Sequence, residues 1–346
     1  MPGLAPSAAR TADASIAAVP SGRPTVEPRY HGVPSVVSSG GHDERLPCAV
    51  IGAGAWGRNL VVAVDQLLDL TAVATTGSDS SARWLNESMP RVSPPVDPST
   101  VLGLGRNRAV VIATPAASHF EIAGHALEAG LHVFVEKPVC LDVDAAVDLR
   151  RRALASDLEL FVGYVYLFDP YFEALTDLTA ADGVRRVDAR WNRPGLRGEI
   201  LHELLPHDLA LLMVLLGSPL SLRHVLVNDA QRLEIDLVTS RGVTASLRYT
   251  TDASRPRLKD LDVWSGDRRF RWSPGRLDED TSPSDRSSPW HPVALPADLR
   301  LDHASTPVER EAARFAHNAA FPGDRMVQSM DLVVGVTSIV AMVTGA

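Results

Sequence analysis

Three glycines in the order Gly52-Ala53-Gly54-Ala55-Trp56-Gly57 stand between an apolar run, Leu46-Pro47-Cys48-Ala49-Val50-Ile51, and a stretch with helical periodicity. In that setting the first glycine permits a tight turn, the second lets backbone approach a pyrophosphate, and the third lets helix lie against strand. The N–H groups and the positive dipole end of the following helix would then face the phosphates. The chemistry implied is dinucleotide binding. The acid that grips a ribose 2′-hydroxyl belongs at the end of the second strand, where this chain reads Thr75-Thr76-Gly77-Ser78. No carboxylate stands there to repel a 2′-phosphate, which tilts the cofactor from NAD toward NADP. The alternative is that Thr75 bonds the ribose of NAD; the nearest cation, Arg83, lies several residues on.

Glu136-Lys137-Pro138 closes the apolar run that starts at Leu131. A lysine at the C-terminal end of a parallel strand points into the crevice where such sheets bind ligands. Its ammonium can stabilise a developing alkoxide or relay a proton. Standing alone, it would equally be a solvated lysine. His202-Glu203-Leu204-Leu205-Pro206-His207 has the look of a zinc helix, but histidines five apart on a helix diverge by about 140°. Pro206 also strains a continuous helix, so no metal is expected. Tyr164, Tyr166, Trp191, Asn192 and Arg193 follow strands expected to face the same crevice and are candidate wall residues for a substrate. Core packing explains Tyr166 and Trp191 equally well. Arg193 and Arg197 could meet a diphosphate, although exposed arginines are usually just solvated.

The elements that must position these residues alternate. Apolar strands are expected at Leu46–Ile51, Leu70–Thr75, Ala109–Thr114, Leu131–Val135 and Leu158–Gly163. Helices are expected over Trp56–Leu68, Ser81–Asn86, Ser118–Ala129 and Asp142–Ser156, with Pro90–Pro98 as loop. That rhythm predicts a doubly wound parallel sheet of the Rossmann kind. Beyond Asp169 one helix near Tyr171–Leu178 and another ending at Gly217 precede β-rich sequence at Arg232–Thr239, Val243–Thr250, Lys259–Trp264 and Asp267–Trp272. This predicts an α+β domain with a large open, mostly antiparallel sheet. Ser273–Thr306 reads as irregular, and helices over Val308–Ala319 and Val327–Met342 should pack back on the nucleotide domain. The expected partition is a disordered tail over 1–45, a nucleotide domain over 46–165, a substrate and oligomerisation domain over 166–325, and a closing helix over 326–346.

Four segments carry a recognisable pattern: Cys48 to Asn59, Val110 to Phe120, Gly130 to Pro138 and Leu204 to Leu212. In this order and spacing they resemble the glucose-fructose oxidoreductase / inositol dehydrogenase / rhizopine catabolism (Gfo/Idh/MocA) family, most closely the members acting on nucleotide-linked or modified sugars. The resemblance implies hydride transfer between NAD(P) and a carbinol or ketone carbon of a sugar, sugar nucleotide or cyclitol. It places Lys137 beside the nicotinamide and the substrate hydroxyl. It assigns cofactor contacts to Gly52, Gly54, Ala55, Trp56, Gly57, Thr75, Thr76, Ala113, Thr114, Pro115, His119 and Glu136, with Thr114, Pro115 and His119 at the nicotinamide ribose. His207 would exchange a proton with the reacting oxygen. Four residues earlier the family's usual Asp is here Glu203, expected to orient the imidazole. A homodimer or homotetramer is also implied, with a second subunit covering the open sheet. Two further readings stay open: a related enzyme that cleaves glycosidic bonds through transient oxidation, and a non-catalytic dinucleotide-binding sensor.

Composition narrows the partners. The 346 residues are 45% hydrophobic and 22% charged, an ordinary globular composition with room for two domains. With 34 Lys and Arg against 42 Asp and Glu, the net charge of −8 offers no attraction to nucleic acid or to anionic lipid. The apolar runs are too short to span a bilayer. Two cysteines, Cys48 and Cys140, make neither a disulfide framework nor a metal site, and a reducing cytoplasm is expected.

Overall fold

The computed structural model describes residues 45–75, 79–92, 94–196, 198–217, 219–280, 289–295, 306–321 and 327–345. The tail expected over 1–45 lies outside them apart from Arg45, as do Thr76 and Arg197. Five short strands, β1 (Pro47–Ile51), β2 (Asp69–Ala74), β3 (Ala109–Ile112), β4 (His132–Glu136) and β5 (Leu160–Gly163), pair in parallel in the order β2-β1-β3-β4-β5. Every residue of β3, β4 and β5 is buried, as strands covered on both faces must be. Helices α1 (Gly57–Leu67), α2 (Asp79–Ser88), α3 (Pro98–Gly103), α4 (His119–Glu128) and α5 (Val143–Ala155) make the crossovers. Strand order reverses between β2 and β3 across β1, so the crevice opens above the C-terminal ends of β1 and β3. The expected loop over Pro90–Pro98 holds a 3₁₀ turn, Pro90–Val92. α3 follows it, capped by Asp97, which accepts from the amides of Ser99 and Thr100.

A second unit follows. It comprises α6 (Pro170–Ala180), β6 (Val184–Asn192), α7 (Ile200–Glu203), α8 (Leu205–Leu216), β7 (Leu220–Asn228), β8 (Arg232–Thr239), β9 (Thr244–Thr250), β10 (Leu258–Ser265), β11 (Arg268–Ser273), β12 (Arg276–Asp280) and β13 (His291–Pro292). The strands form one sheet ordered β13-β12-β11-β10-β6-β9-β8-β7, antiparallel except between β6 and β9. Alternate residues such as Leu233, Ile235, Leu237, Leu247, Val263, Phe270 and Trp272 are buried, on a sheet that α6 meets at β11 and β12, α8 at β6 and α7 at β8. The other face carries an ionic ladder in which Asp262 meets Arg190, Arg269 and Arg271. β7, β12 and the two-residue β13 depart from expectation. β7 is interrupted by register shifts between Leu222 and His224 and between Val225 and Val227, which hide its alternation. β12 lies inside the stretch expected to be irregular. Its charged residues are held in the sheet by ion pairs, Arg276 to Asp278 and Arg268 to Glu279.

Two closing helices, α9 (Pro307–Ala320) and α10 (Val327–Thr344), join the units. As expected of a helix that packs back on the nucleotide domain, α9 lies along α1, and its Phe315 ring meets Phe134 and Phe161 at 5.7 and 5.9 Å. The nucleotide domain thus recruits a helix from far down the chain. α10 touches α5 and β5 on one side and α8 and β7 on the other, so it packs on both domains rather than on the first alone. No helix of the described residues is long and apolar enough to cross a membrane. Arg310 of α9 pairs with Glu173 of α6 at 2.7 Å, both side chains nearly dry. Arg310→Met takes a charged partner from a buried carboxylate and is expected to cost about 3–5 kcal/mol, whereas Arg310→Met with Glu173→Leu recovers most of it. Urea unfolding followed by circular dichroism measures both; equal losses in the two variants would contradict this account.

Candidate active site

Backbone geometry explains why the turn needs its glycines. Gly52 sits at φ +108°, and a Cβ there would lie 2.4 Å from the Ala113 carbonyl oxygen. At Gly57 a Cβ would lie 2.2 Å from the Gly52 oxygen, whereas one at Gly54 meets nothing within 4 Å. Gly54 therefore faces open space, in a cleft also lined by Thr75, Ser81, Pro98, Thr114 and Pro115. No side chain caps α1 at Trp56, and although the amides of Arg58 and Asn59 are taken by the oxygens of Gly54 and Trp56, the positive end of the helix dipole faces the cleft. These features fit the diphosphate of a dinucleotide. Ser81 bonds the Ala53 oxygen at 2.8 Å and braces the turn. Arg58, directly after the motif, stands beside the turn: it reaches the Ala53 oxygen at 3.4 Å, donates to the Ser80 hydroxyl at 2.9 Å and lies 5.3 Å over the Trp84 ring.

His119 has a more structural position than the resemblance implies. Its buried ring stands between two carbonyl oxygens, Thr114 at 2.7 Å and Pro138 at 2.8 Å, and so ties the loop after β3 to the loop after β4. Burial, with Lys137 adding to it, lowers its proton affinity. Glu136 turns inward from β4 and accepts the Trp56 indole N–H at 2.5 Å, linking the glycine turn to the strand that carries Lys137. Burial pushes this carboxyl up to about 7 against the pull of Trp56 and Lys137. Behind it Glu311 of α9, which sequence reading did not single out, is fully buried; burial and then Glu136 hold it in its protonated form.

Lys137 Nζ lies 3.2 Å from Glu203 Oε2 and 3.3 Å from the Glu203 backbone oxygen. This corrects the expected role of Glu203. The helix breaks at Leu204, with α7 ending at Glu203 and α8 starting at Leu205, and Pro206 stands in the first turn of α8. Residues 203 and 207 therefore do not share one helical face, and the carboxylate meets Lys137 instead of His207. His202 turns to Glu199 at 3.0 Å, and among the described residues no group of His, Cys, Asp and Glu could hold a metal ion.

The His207 imidazole is buried against Tyr166 and Trp191, with ring centroids 5.0 and 5.9 Å away, and its Nδ1 has no hydrogen-bond partner. Burial, followed by Lys137, Lys259 and Arg193, drops its pKa well below the ordinary histidine value, so the ring is neutral at neutral pH. Among the candidate wall residues, Tyr164 is 3% exposed and packs in the core. Asn192 spends its amide on the oxygens of Asp252, Arg255 and Pro256, pinning that loop. Arg193 is the one whose charge reaches His207. Asp208 and Lys259, which meet beside His207, were also not singled out. Their only signal was adjacency for Asp208, and for Lys259 an inward position on an alternating strand.

A glycine turn fitted to a dinucleotide and a strand-end lysine beside a neutral histidine define a nicotinamide-dependent oxidoreductase. A family profile described as an oxidoreductase family with an NAD-binding Rossmann fold matches residues 46–164. The chain is 30% identical over 224 residues to the UDP-N-acetylglucosamine 3-dehydrogenase of Acidithiobacillus ferrooxidans, covering 62% of this chain and 70% of that relative. The chain belongs to the Gfo/Idh/MocA family, with its NAD(P)-binding Rossmann domain. The solved structure of the same Acidithiobacillus protein matches with TM-score 0.73 at 22% identity, over 87% of this chain and 97% of that one. A 3-ketoreductase from Actinomadura kijaniata in complex with TDP-benzene and NADP gives 0.72 at 21% identity, over 87% and 97%. An inositol dehydrogenase homologue from Azotobacter vinelandii complexed with NADH and myo-inositol gives 0.70 at 20%, over 86% and 94%. At these identities the likeness of structures speaks for the fold.

Two measurements probe the cofactor side. Gly57→Ala, whose methyl would collide with the Gly52 oxygen, is expected to weaken dinucleotide binding at least tenfold in a fluorescence titration; unchanged affinity would remove the turn from the site. Glu136 holds its proton up to about pH 7 when folded, against an ordinary value of 4.5. The stability it contributes is therefore full below pH 4.5 and lost as pH rises through 7. Glu136→Gln cannot ionise and still accepts from Trp56, so it should gain on the wild type by about 1–3 kcal/mol between pH 5 and 8 in urea unfolding. Parallel pH curves for the two proteins would show that Glu136 carries no proton there.

Proposed function

We propose that this chain moves a hydride between NAD(P) and a carbinol or ketone carbon of a sugar, sugar nucleotide or cyclitol, with a nucleotide-linked sugar favoured. The observation that carries the reading is the Lys137 ammonium, fixed 3.2 Å from Glu203 at the end of β4 and within electrostatic reach of a neutral, buried His207. Bound nicotinamide supplies or accepts the hydride. Lys137 binds the reacting oxygen and stabilises its developing negative charge. Glu203 holds the ammonium in place. In the oxidative direction the neutral His207 takes the hydroxyl proton, and in the reductive direction it returns one. Tyr166 and Trp191 keep water from the imidazole.

Arg193 at the end of β6 is the residue we assign to an anionic part of the substrate, which suits a nucleoside diphosphate. Thr75 in place of a carboxylate, with Arg58 nearby, favours NADP over NAD. The polar outer face of the eight-stranded sheet is the surface we assign to a second copy of the chain, in a homodimer or homotetramer. Cys48 and Cys140, both buried free thiols, suit a reducing cytoplasm.

NADPH and NADH titrations, followed by absorbance at the nicotinamide band with a panel of UDP- and TDP-sugars, cyclitols and keto-sugars, test this reading. Lys137→Ala is expected to lower kcat by about 10²–10⁴-fold while cofactor affinity stays within a few-fold. Failure to bind either cofactor would sink the proposal. Binding without turnover, unchanged in Lys137→Ala, would make the chain a non-catalytic sensor instead.

A further inference from the structure

Lys259 enters the site from β10 and meets Asp208 of α8 directly, with side chains 6% and 3% exposed. Its ammonium lies 3.7 Å from the centroid of Trp191, 4.8 Å from Tyr166 and 5.7 Å from Trp272. Trp191 and Tyr166 are the same rings that His207 rests against. Asp208 is also the residue after His207, so the ion pair ties the helical turn that carries the imidazole to the middle of the sheet. Packing alone does not call for this. Burying two charges costs several kcal/mol per ion, and apolar residues of similar volume commonly fill such a place at no loss of stability.

The charges around the imidazole are unequal. Lys137 comes from the end of β4, Lys259 from β10 and Arg193 from the end of β6. Of the carboxylates, Glu203 is engaged by Lys137 and Asp208 by Lys259. The nearby phenols of Tyr166 and Tyr249 are kept protonated by burial. Three cations thus bear on a ring whose Nδ1 has no acceptor to stabilise a second proton.

We propose that Lys259 and Asp208 form a positioning pair for His207, clamping the Tyr166–Trp191 wall against the imidazole and setting a fixed cation behind it that keeps the ring neutral and open to the proton of the substrate hydroxyl. In that step the O–H bond breaks and its proton passes to the imidazole, while the C–H bond breaks and its hydride goes to the oxidised nicotinamide of the proposed reaction, leaving a carbonyl. The inference rests on the reading of His207 as the proton acceptor.

Its test is the titration of His207 in the free protein, followed by NMR of ¹⁵N-histidine-labelled samples, with His207→Asn assigning the resonance. Lys259→Gln keeps an N–H for Asp208 and loses the charge. It should raise the pH at which His207 protonates by about one unit, a tenfold gain in proton affinity. The acid limb of kcat/KM should move upward by the same amount. Lys259→Arg keeps the charge and should leave both within a few tenths of a unit. If His207 titrates in Lys259→Gln as in the wild type, or if Lys259→Arg moves it as far as Lys259→Gln does, the inference is overturned. Failure of the underlying reading looks different: His207→Asn would then retain hydride transfer with an unchanged pH profile, whatever the resonances do.

Discussion

Ionisable side chains buried between the parallel sheet and the second domain must each find a partner, because an unpaired charge out of water costs more than any single contact returns. The chain meets this constraint with partners distant in sequence. Lys137 pairs with Glu203, Lys259 with Asp208, and Arg310 with Glu173. Each pair joins two different elements: the end of β4 to α7, β10 to α8, and α9 to α6. The first of these pairs ties one unit to the other, whereas Lys259 and Asp208 fix helix against sheet within the second unit. Of the three, only the Lys137–Glu203 pair keeps a carboxylate substantially open to water, at 43% exposure. It is the pair through which a ligand could enter, and it is the one at the strand end.

Glu136 and Glu311 obey the same constraint by another route. Both carboxyl groups are buried and Glu136 acts on Glu311, so they cannot both ionise cheaply and protons stay on them at pH values where free carboxylates have lost theirs. The corner behind Lys137 thus carries less negative charge than its composition suggests. That matters for the lysine, since a full dianion behind it would compete with a substrate oxygen for the ammonium. Trp56 extends the connection to the glycine turn by its bond to Glu136. The glycine turn, the end of β4 and closing helix α9 are thus linked through Glu136.

What could be read from the sequence divides along the same line. The turn Gly52 to Gly57, the five parallel strands and the strand-end position of Lys137 are encoded locally: apolar runs of four to six residues, glycines at fixed offsets, and helices between them. Pairings are not. Glu203 and Lys137 are separated by 66 positions and Lys259 and Asp208 by 51, and nothing in either neighbourhood announces the other. The break at Leu204 shows how local logic can mislead, because a spacing of four residues implies a shared face only if the helix is continuous. Asn192 makes the same point from the other side. A polar residue at a strand end suggested a ligand contact, and the fold spends its amide on three backbone oxygens of the 252–256 loop. β7 escaped notice because its bulges erase the alternation by which strands are recognised.

The two halves of the site are accordingly built on different principles. On the cofactor side the decisive groups are backbone: a Cβ at Gly52 or Gly57 collides with carbonyl oxygens whatever the surrounding side chains are. That half tolerates little change and needs few partners. On the substrate side the decisive groups are side chains whose charge states depend on neighbours, as the neutrality of His207 depends on burial and on Lys137, Lys259 and Arg193. A substitution in β10 or at the end of β6 can therefore shift the protonation of His207 without touching the glycine turn. Differences in substrate among proteins built this way should accumulate in the strands of the open sheet, where a change of one inward residue alters the field at the imidazole while the nucleotide domain stays as it is.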